Sequence, residues 1–116
     1  MSIGPDDMQS IALELSESSN EAKVRASIGR SYYSAYHHGL RHLGVTDIKE
    51  VVGGSGGVHK RLSDLLEDSN MKPAAYVLAD LKAKRVLADY DLSYNFAQED
   101  AKAAIDTFNR FIEKLK

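Results

Sequence analysis

Two rows of side chains in this 116-residue sequence have the residue types and spacing to do chemistry. The first is Ala26, Arg30, Tyr33, His37 and Leu40, whose steps of four and three put them on one ridge of a helix. Arg30 and His37 are two turns apart on that face. A guanidinium, a phenol and an imidazole in line can bind a phosphate, or polarise one while the imidazole moves a proton. They can equally form a polar seam, with the arginine stacked on the ring inside a helix bundle. The second row centres on Arg85, which interrupts the apolar positions 74, 78, 81, 88 and 92. A cation aimed at a core or interface needs a partner to offset its desolvation. Asp89 follows at the i+4 distance of an ion pair, then Tyr90 and Tyr94. That pair is either a structural tie or a polar notch that receives an anion or an RNA backbone.

Other constellations carry less. His38 and His42 have the i, i+4 spacing of two metal ligands. No carboxylate shares their face and there is no His-Glu-x-x-His, so a partly exposed helix surface is the alternative and no cofactor is expected. Gly53-x-Ser55-x-Gly57 matches a hydrolase nucleophile elbow as a pattern, but an elbow needs a preceding strand, and none is predicted. The phosphate-loop and dinucleotide fingerprints fail as well, because Val58-His59-Lys60-Arg61 stands where their final residues belong. A mobile glycine-rich connector over about 44–57 is the expectation.

The elements that must position these residues are helices. Met8, Ile11, Ala12 and Leu15 mark a first helix over about 5–17, opened by Pro5 with Asp6 and Asp7 beside it. Ser18-Ser19-Asn20-Glu21 reads as the cap of a second, running to Leu43 before Gly44, with Val24, Ile28, Tyr32, Ala35, Tyr36 and Leu43 inward. A third covers about 58–69 on Val58, Leu62, Leu65 and Leu66. A fourth covers about 73–92 on Ala74, Val77, Leu78, Leu81, Ala88 and Leu92. A fifth follows the cap at Asn95 to Gln98, with Ala101, Ala104, Ile105, Phe108, Ile112 and Leu115 inward. The predicted fold is all-α, an up-and-down bundle of about five helices with two long central ones, in a single domain over 1–116.

Composition fits that reading. Hydrophobic residues make up 43% and charged residues 28%, which argues against wholesale disorder. With no cysteine, disulfides, thiolate metal sites and cysteine nucleophiles are excluded. No apolar run approaches the roughly 20 residues of a membrane span, and the start lacks a signal-peptide pattern, so a cytoplasmic location is expected. The net charge of −2 is uneven: residues 22–61 hold seven basic against two acidic residues and all four histidines. That balance suggests an anionic ligand without the basicity of a dedicated DNA-binding domain.

Three blocks, in order, also carry a family resemblance. The run from Arg25 to His37, with Arg30, Tyr32, Tyr33, Ala35 and Tyr36, resembles the second-helix signature of HEPN domains (higher eukaryotes and prokaryotes nucleotide-binding). Gly57-Val58-His59-Lys60 resembles the stretch before their third helix, and Arg85 to Tyr90 resembles the Arg-x-x-Ala-Asp-Tyr signature of their penultimate helix. The resemblance covers about residues 20–92. It implies a helical bundle, usually a homodimer with its penultimate helices in contact, in an RNA or nucleotide context. Toxin–antitoxin and defence settings, and a nucleotidyltransferase partner protein, are also implied. Catalytic members carry Arg, four to six residues, then His on the penultimate helix. Here Tyr90 stands in that position and no histidine follows His59. A phenol with a pKa near 10 is a poor general base at neutral pH.

Two functions from different classes follow. One is a homodimeric HEPN-type module that binds RNA or nucleotide through Arg30, Tyr33, Arg85, Asp89 and Tyr90, with Arg85 on phosphate and Asp89 holding it. The other is a metal-independent endoribonuclease with a rearranged site, His37 as acid–base and Arg85 or Arg30 as phosphate stabiliser.

Overall fold

The computed structural model describes residues 3–45 and 57–116. Among them the chain is all helical: α1 Pro5–Ser16, α2 Glu21–His42, α3 Gly57–Asp68, α4 Lys72–Tyr90 and α5 Gln98–Leu115. The expected connector over 44–57 lies mostly outside the described residues; Gly44 ends α2, and Gly57 already belongs to α3.

Local chemistry sets the helix ends. The Asp7 carboxylate accepts from the Gly4 N–H at 2.8 Å, and Asp100 does the same for Ala97 at 2.8 Å. Asn20 Oδ1 accepts from the Lys23 N–H at the start of α2. At its other end Gly44 takes φ +74° while Gly44 N–H donates to Arg41 and Val45 N–H to Leu40, a Schellman closure that favours glycine. Asn70 supplies the same left-handed residue between α3 and α4, at φ +64°.

α2 touches all four other helices. Ser34 Oγ donates to Pro5 O and Ser27 Oγ to Ala12 O, so α1 runs antiparallel to α2. Arg25 meets Ala88 while Tyr32 meets Arg85, so α4 also runs antiparallel to α2. These helices and α5 form the bundle, and the backbone of α3 lies against α2 and α4. The core is a single cluster of buried residues in which Tyr32, Leu62, Leu78, Leu81 and Phe111 are prominent.

Three sequence expectations shift. In α1 the inward ridge is Gln9, Ala12 and Ser16, small or polar residues that let α2 approach, and Ile11 is exposed. α4 stops at Tyr90 because Asp91 folds back to accept from Ser93 N–H and Oγ, which leaves Leu92 exposed in the following loop. In α5 Phe111, absent from the predicted stripe, is fully buried, whereas Ile112 is half-buried.

Candidate functional site

The middle of α2, the first turn of α3 and the second half of α4 converge on one group of rings and cations. α4 brings Arg85 inward among α2 aromatics, because it stands on the helix's apolar stripe. Its side chain is 8% exposed, and Nη1 donates to Asp89 Oδ2 at 3.2 Å. The guanidinium lies 5.4 Å from the Tyr32 ring centre, 5.5 Å from that of Tyr33 and 5.9 Å from that of Tyr90. Nε is buried with no hydrogen-bond partner among the described residues. Burial works against the Arg85 charge. The bond to Asp89, with Tyr33, Tyr90 and the Asp89 charge, outweighs it and raises the guanidinium pKa. Asp89 is itself 39% exposed, so the pair is asymmetric, its cation inside and its anion at the surface.

α3 contributes a residue that sequence reasoning assigned no role. His59 Nδ1 shares a hydrogen bond of 2.5 Å with the Tyr32 hydroxyl. Its ring packs among those of Tyr32, Tyr33 and Tyr36 at 5.4, 6.2 and 5.5 Å between centres. Burial, then the charges of Lys82 and Arg85, lower the His59 pKa. Tyr32 moves the other way: burial raises its pKa despite the nearby Arg85, so the phenol keeps its proton. Beside this pair a cleft of about 370 Å³ opens between α3 and α4, lined by His59, Lys60, Ser63, Lys82, Tyr32 and Leu78 among others.

The residues proposed from sequence divide. Arg85, Asp89, Tyr90 and Tyr33 are brought together, and Arg30 joins them from the outside, its guanidinium 5.3 Å from the Tyr33 ring centre. The ring of Tyr33 thus lies near two guanidinium groups, the buried one of Arg85 and the exposed one of Arg30. His37 is exposed and packs edge-on against Tyr36 at 5.2 Å. Partial burial of the ring lowers its pKa. The contacts of Arg85 reach Tyr32, Tyr33, Asp89 and Tyr90, and those of His37 reach Tyr36. His38 bonds Asp6 at 3.2 Å and packs on Phe108, tying α1 and α5 to α2. Among the described residues, no three His, Cys, Asp or Glu side chains gather closely enough to hold a metal ion.

Arg25 has a structural role the sequence did not disclose. Its guanidinium donates to the carbonyls of Ala88 at 2.9 Å and Asp91 at 3.0 Å, more weakly to Leu87, and to Tyr94. Glu21 pairs with it at 3.0 Å and the Phe96 ring lies against it at 4.8 Å. These bonds satisfy the carbonyls that the end of α4 leaves open and fix the turn that carries Asp89 and Tyr90.

Compared with known proteins, the chain matches no protein-family model, no curated protein and no solved structure. No helix among the described residues is long and apolar enough to cross a membrane.

Proposed function

We propose that this chain is a HEPN-type helical domain, cytoplasmic and homodimeric, that binds RNA or nucleotide by its phosphate groups at the Arg85 cluster. The observation that carries this reading is the Arg85 guanidinium itself, held inside a frame of tyrosines with Nε unpartnered and one half-exposed carboxylate as its counter-ion. A phosphate at the surface can compete with Asp89 for the same donors, and the rings of Tyr33 and Tyr90 offer faces to a base. Arg30 adds a second cation on the Tyr33 side.

Self-association has separate support. The outward face of α4 carries Tyr76 at 63% exposure, with Val86 and Leu87 also exposed, which is an apolar face unusual for a solvated helix. A second copy, or a nucleotidyltransferase partner of a toxin–antitoxin or defence system, would cover it.

The deciding measurement is retention of a labelled structured RNA by the full chain in EDTA. Retention that falls about tenfold in Arg85→Ala, with helicity intact by circular dichroism, supports the reading. Equal retention by the variant overturns it.

A second reading, a metal-independent endoribonuclease, is favoured by one observation: a histidine, His59, packs on the same Tyr32 and Tyr33 rings as the Arg85 guanidinium. The same assay tests it. Cleavage products ending in 2′,3′-cyclic phosphate, lost in His37→Ala or in His59→Ala, would identify which imidazole serves as acid–base, and intact RNA throughout would exclude the enzyme.

A further inference from the structure

We propose that the cleft between α3 and α4 is a phosphate-monoester subsite, in which Lys82, Lys60 and Ser63 hold the phosphate and His59 takes up a proton as it binds. The proposal deepens the phosphate reading above and rests on it, but assigns a different set of residues and a ligand of definite charge.

The lining argues for an anion. Lys82 contributes an ammonium with no ion-pair partner among the described residues, Lys60 contributes another bonded to Asp64 at 3.0 Å, and Ser63 adds a hydroxyl. No carboxylate lines the cleft. Arg85 stands three residues beyond Lys82 on α4, so its buried charge adds to the same field. A volume of about 370 Å³ is of the size that takes a small ligand, and Leu78 and the Tyr32 ring give it an apolar side for the organic part. A dianion attracts Lys82, unpaired among the described residues, more strongly than a singly charged diester does, and competes better with Asp64 for Lys60. A phosphate monoester, with its second pKa near 6, is a dianion at neutral pH.

His59 supplies the proton coupling. Its Nδ1 is engaged by the Tyr32 hydroxyl, so Nε2 is the nitrogen left for a ligand in the cleft that the ring lines. The groups facing it are the phenols of Tyr32, Tyr33 and Tyr36 from α2, Lys60 from α3, and Lys82 and Arg85 from α4. Asp64 and Asp89 are taken up by Lys60 and Arg85, and no carboxylate among the described residues pairs with the ring, so burial and the Lys82 and Arg85 charges keep the imidazole neutral. A dianion among those groups reverses the local field, and the ring takes a second proton from solvent at whichever nitrogen lacks one, so that Nε2–H donates to the phosphate. No covalent bond to the ligand forms or breaks.

The test is titration of the full chain with adenosine 5′-monophosphate, with adenosine, and with one RNA oligonucleotide carrying either a 5′-phosphate or a 5′-hydroxyl. Calorimetry in two buffers of different ionisation heat counts protons, and nitrogen-15 spectra report the His59 ring. The expected result is that the monophosphate binds and adenosine does not, with net proton uptake at neutral pH. Lys82→Ala weakens binding about tenfold, and His59→Gln binds without proton uptake. Because Lys82 is half-exposed, its variant keeps the fold even if the His59 variant does not. Preference for the 5′-phosphorylated oligonucleotide over the monophosphate assigns the cleft to an RNA end, and the reverse assigns it to a free nucleotide. An unresponsive His59, equal binding of adenosine, or undiminished binding by Lys82→Ala overturns the proposal. RNA retained through Arg85 with no response to the monophosphate defeats this subsite alone. A response to the monophosphate with no RNA retained keeps the subsite and narrows the ligand to a free nucleotide.

Discussion

The Tyr32 hydroxyl and His59 Nδ1 meet at 2.5 Å, joining the middle of α2 to the first turn of α3. Tyr32 is also the ring over which the Arg85 guanidinium lies, so one phenol touches both the buried cation and the imidazole. Tyr32→Phe keeps the ring and removes the bond. The expected cost is about 1 kcal/mol in urea unfolding, because a single hydrogen bond is lost from a filled site. The His59 ring should then show both neutral tautomers in nitrogen-15 spectra, where the parent protein shows one.

Arg25 should tolerate replacement far less well. Its fork serves several carbonyls at once, and a lysine ammonium is a compact point charge that cannot reproduce that planar geometry. Arg25→Lys is expected to lose about 3 kcal/mol, measured by urea denaturation, since a buried charged donor is withdrawn from groups that then lack partners. A loss below about 1 kcal/mol would mean the carbonyls at the end of α4 find other donors.

Two glycines of α2 should respond oppositely to alanine. A methyl at Gly29 would meet nothing closer than Asp89 Oδ1 at 3.8 Å, ordinary contact, so Gly29→Ala gains about 0.5–1 kcal/mol of helix propensity. At Gly39 the methyl would lie 3.3 Å from both Leu62 Cδ2 and Phe111 Cζ, side chains that are fully buried. Gly39→Ala should therefore destabilise by about 1–3 kcal/mol, because a tightly packed core cannot yield without strain. Paired thermal melts decide it, and a rise in both midpoints would refute the packing argument.

Stability should fall at both ends of the pH scale. Burial lowers the pKa of His37, His38 and His59 below 6.5, with Asp6 partly opposing the effect at His38. The unfolded chain therefore binds these protons first. Their contribution is complete above about pH 6.5 and is lost as the pH falls from there through the lowered folded values. Burial raises Tyr32 and Tyr36 above 10.0, so their contribution is complete below that pH and is lost as the pH rises beyond it. Urea midpoints across this range should form a plateau with two shoulders. His59→Gln should soften the acid shoulder, and a protein that grows more stable on acidification from neutral would contradict the account.

The five helices were legible because punctuation marks their ends: Asn20, Gly44 and Pro73 bound stripes that the core largely uses, whereas Pro5 opens α1 but its inward ridge is Gln9, Ala12 and Ser16 in place of the apolar stripe. Arg85 was legible for the same reason, as a cation on an apolar stripe with its carboxylate one turn on. His59 was visible only as part of a short motif. Its partner Tyr32 lies 27 residues earlier, on a different helix, and spacing within one helix carries no information about which neighbour it meets. The role of Arg25 was hidden more deeply, since its acceptors are backbone carbonyls, which every residue possesses. For His37 the shared face with Arg30 was correctly spaced, but a face two turns long spreads its ends over different neighbours, Tyr33 for one and Tyr36 for the other.

The Arg25 fork has a consequence for motion. It staples the final turn of α4 and the residues after it to α2, so the α4 wall of the cleft, Leu78, Ala79 and Lys82, should open only when the bundle itself opens. The opposite wall belongs to α3, whose backbone lies, among the described residues, against α2 and α4. Amide protons late in α4 should exchange on the timescale of global unfolding, and those early in α3 far sooner. Such a difference in exchange would make the cleft a jaw with one fixed half, its width set by the helix that carries His59.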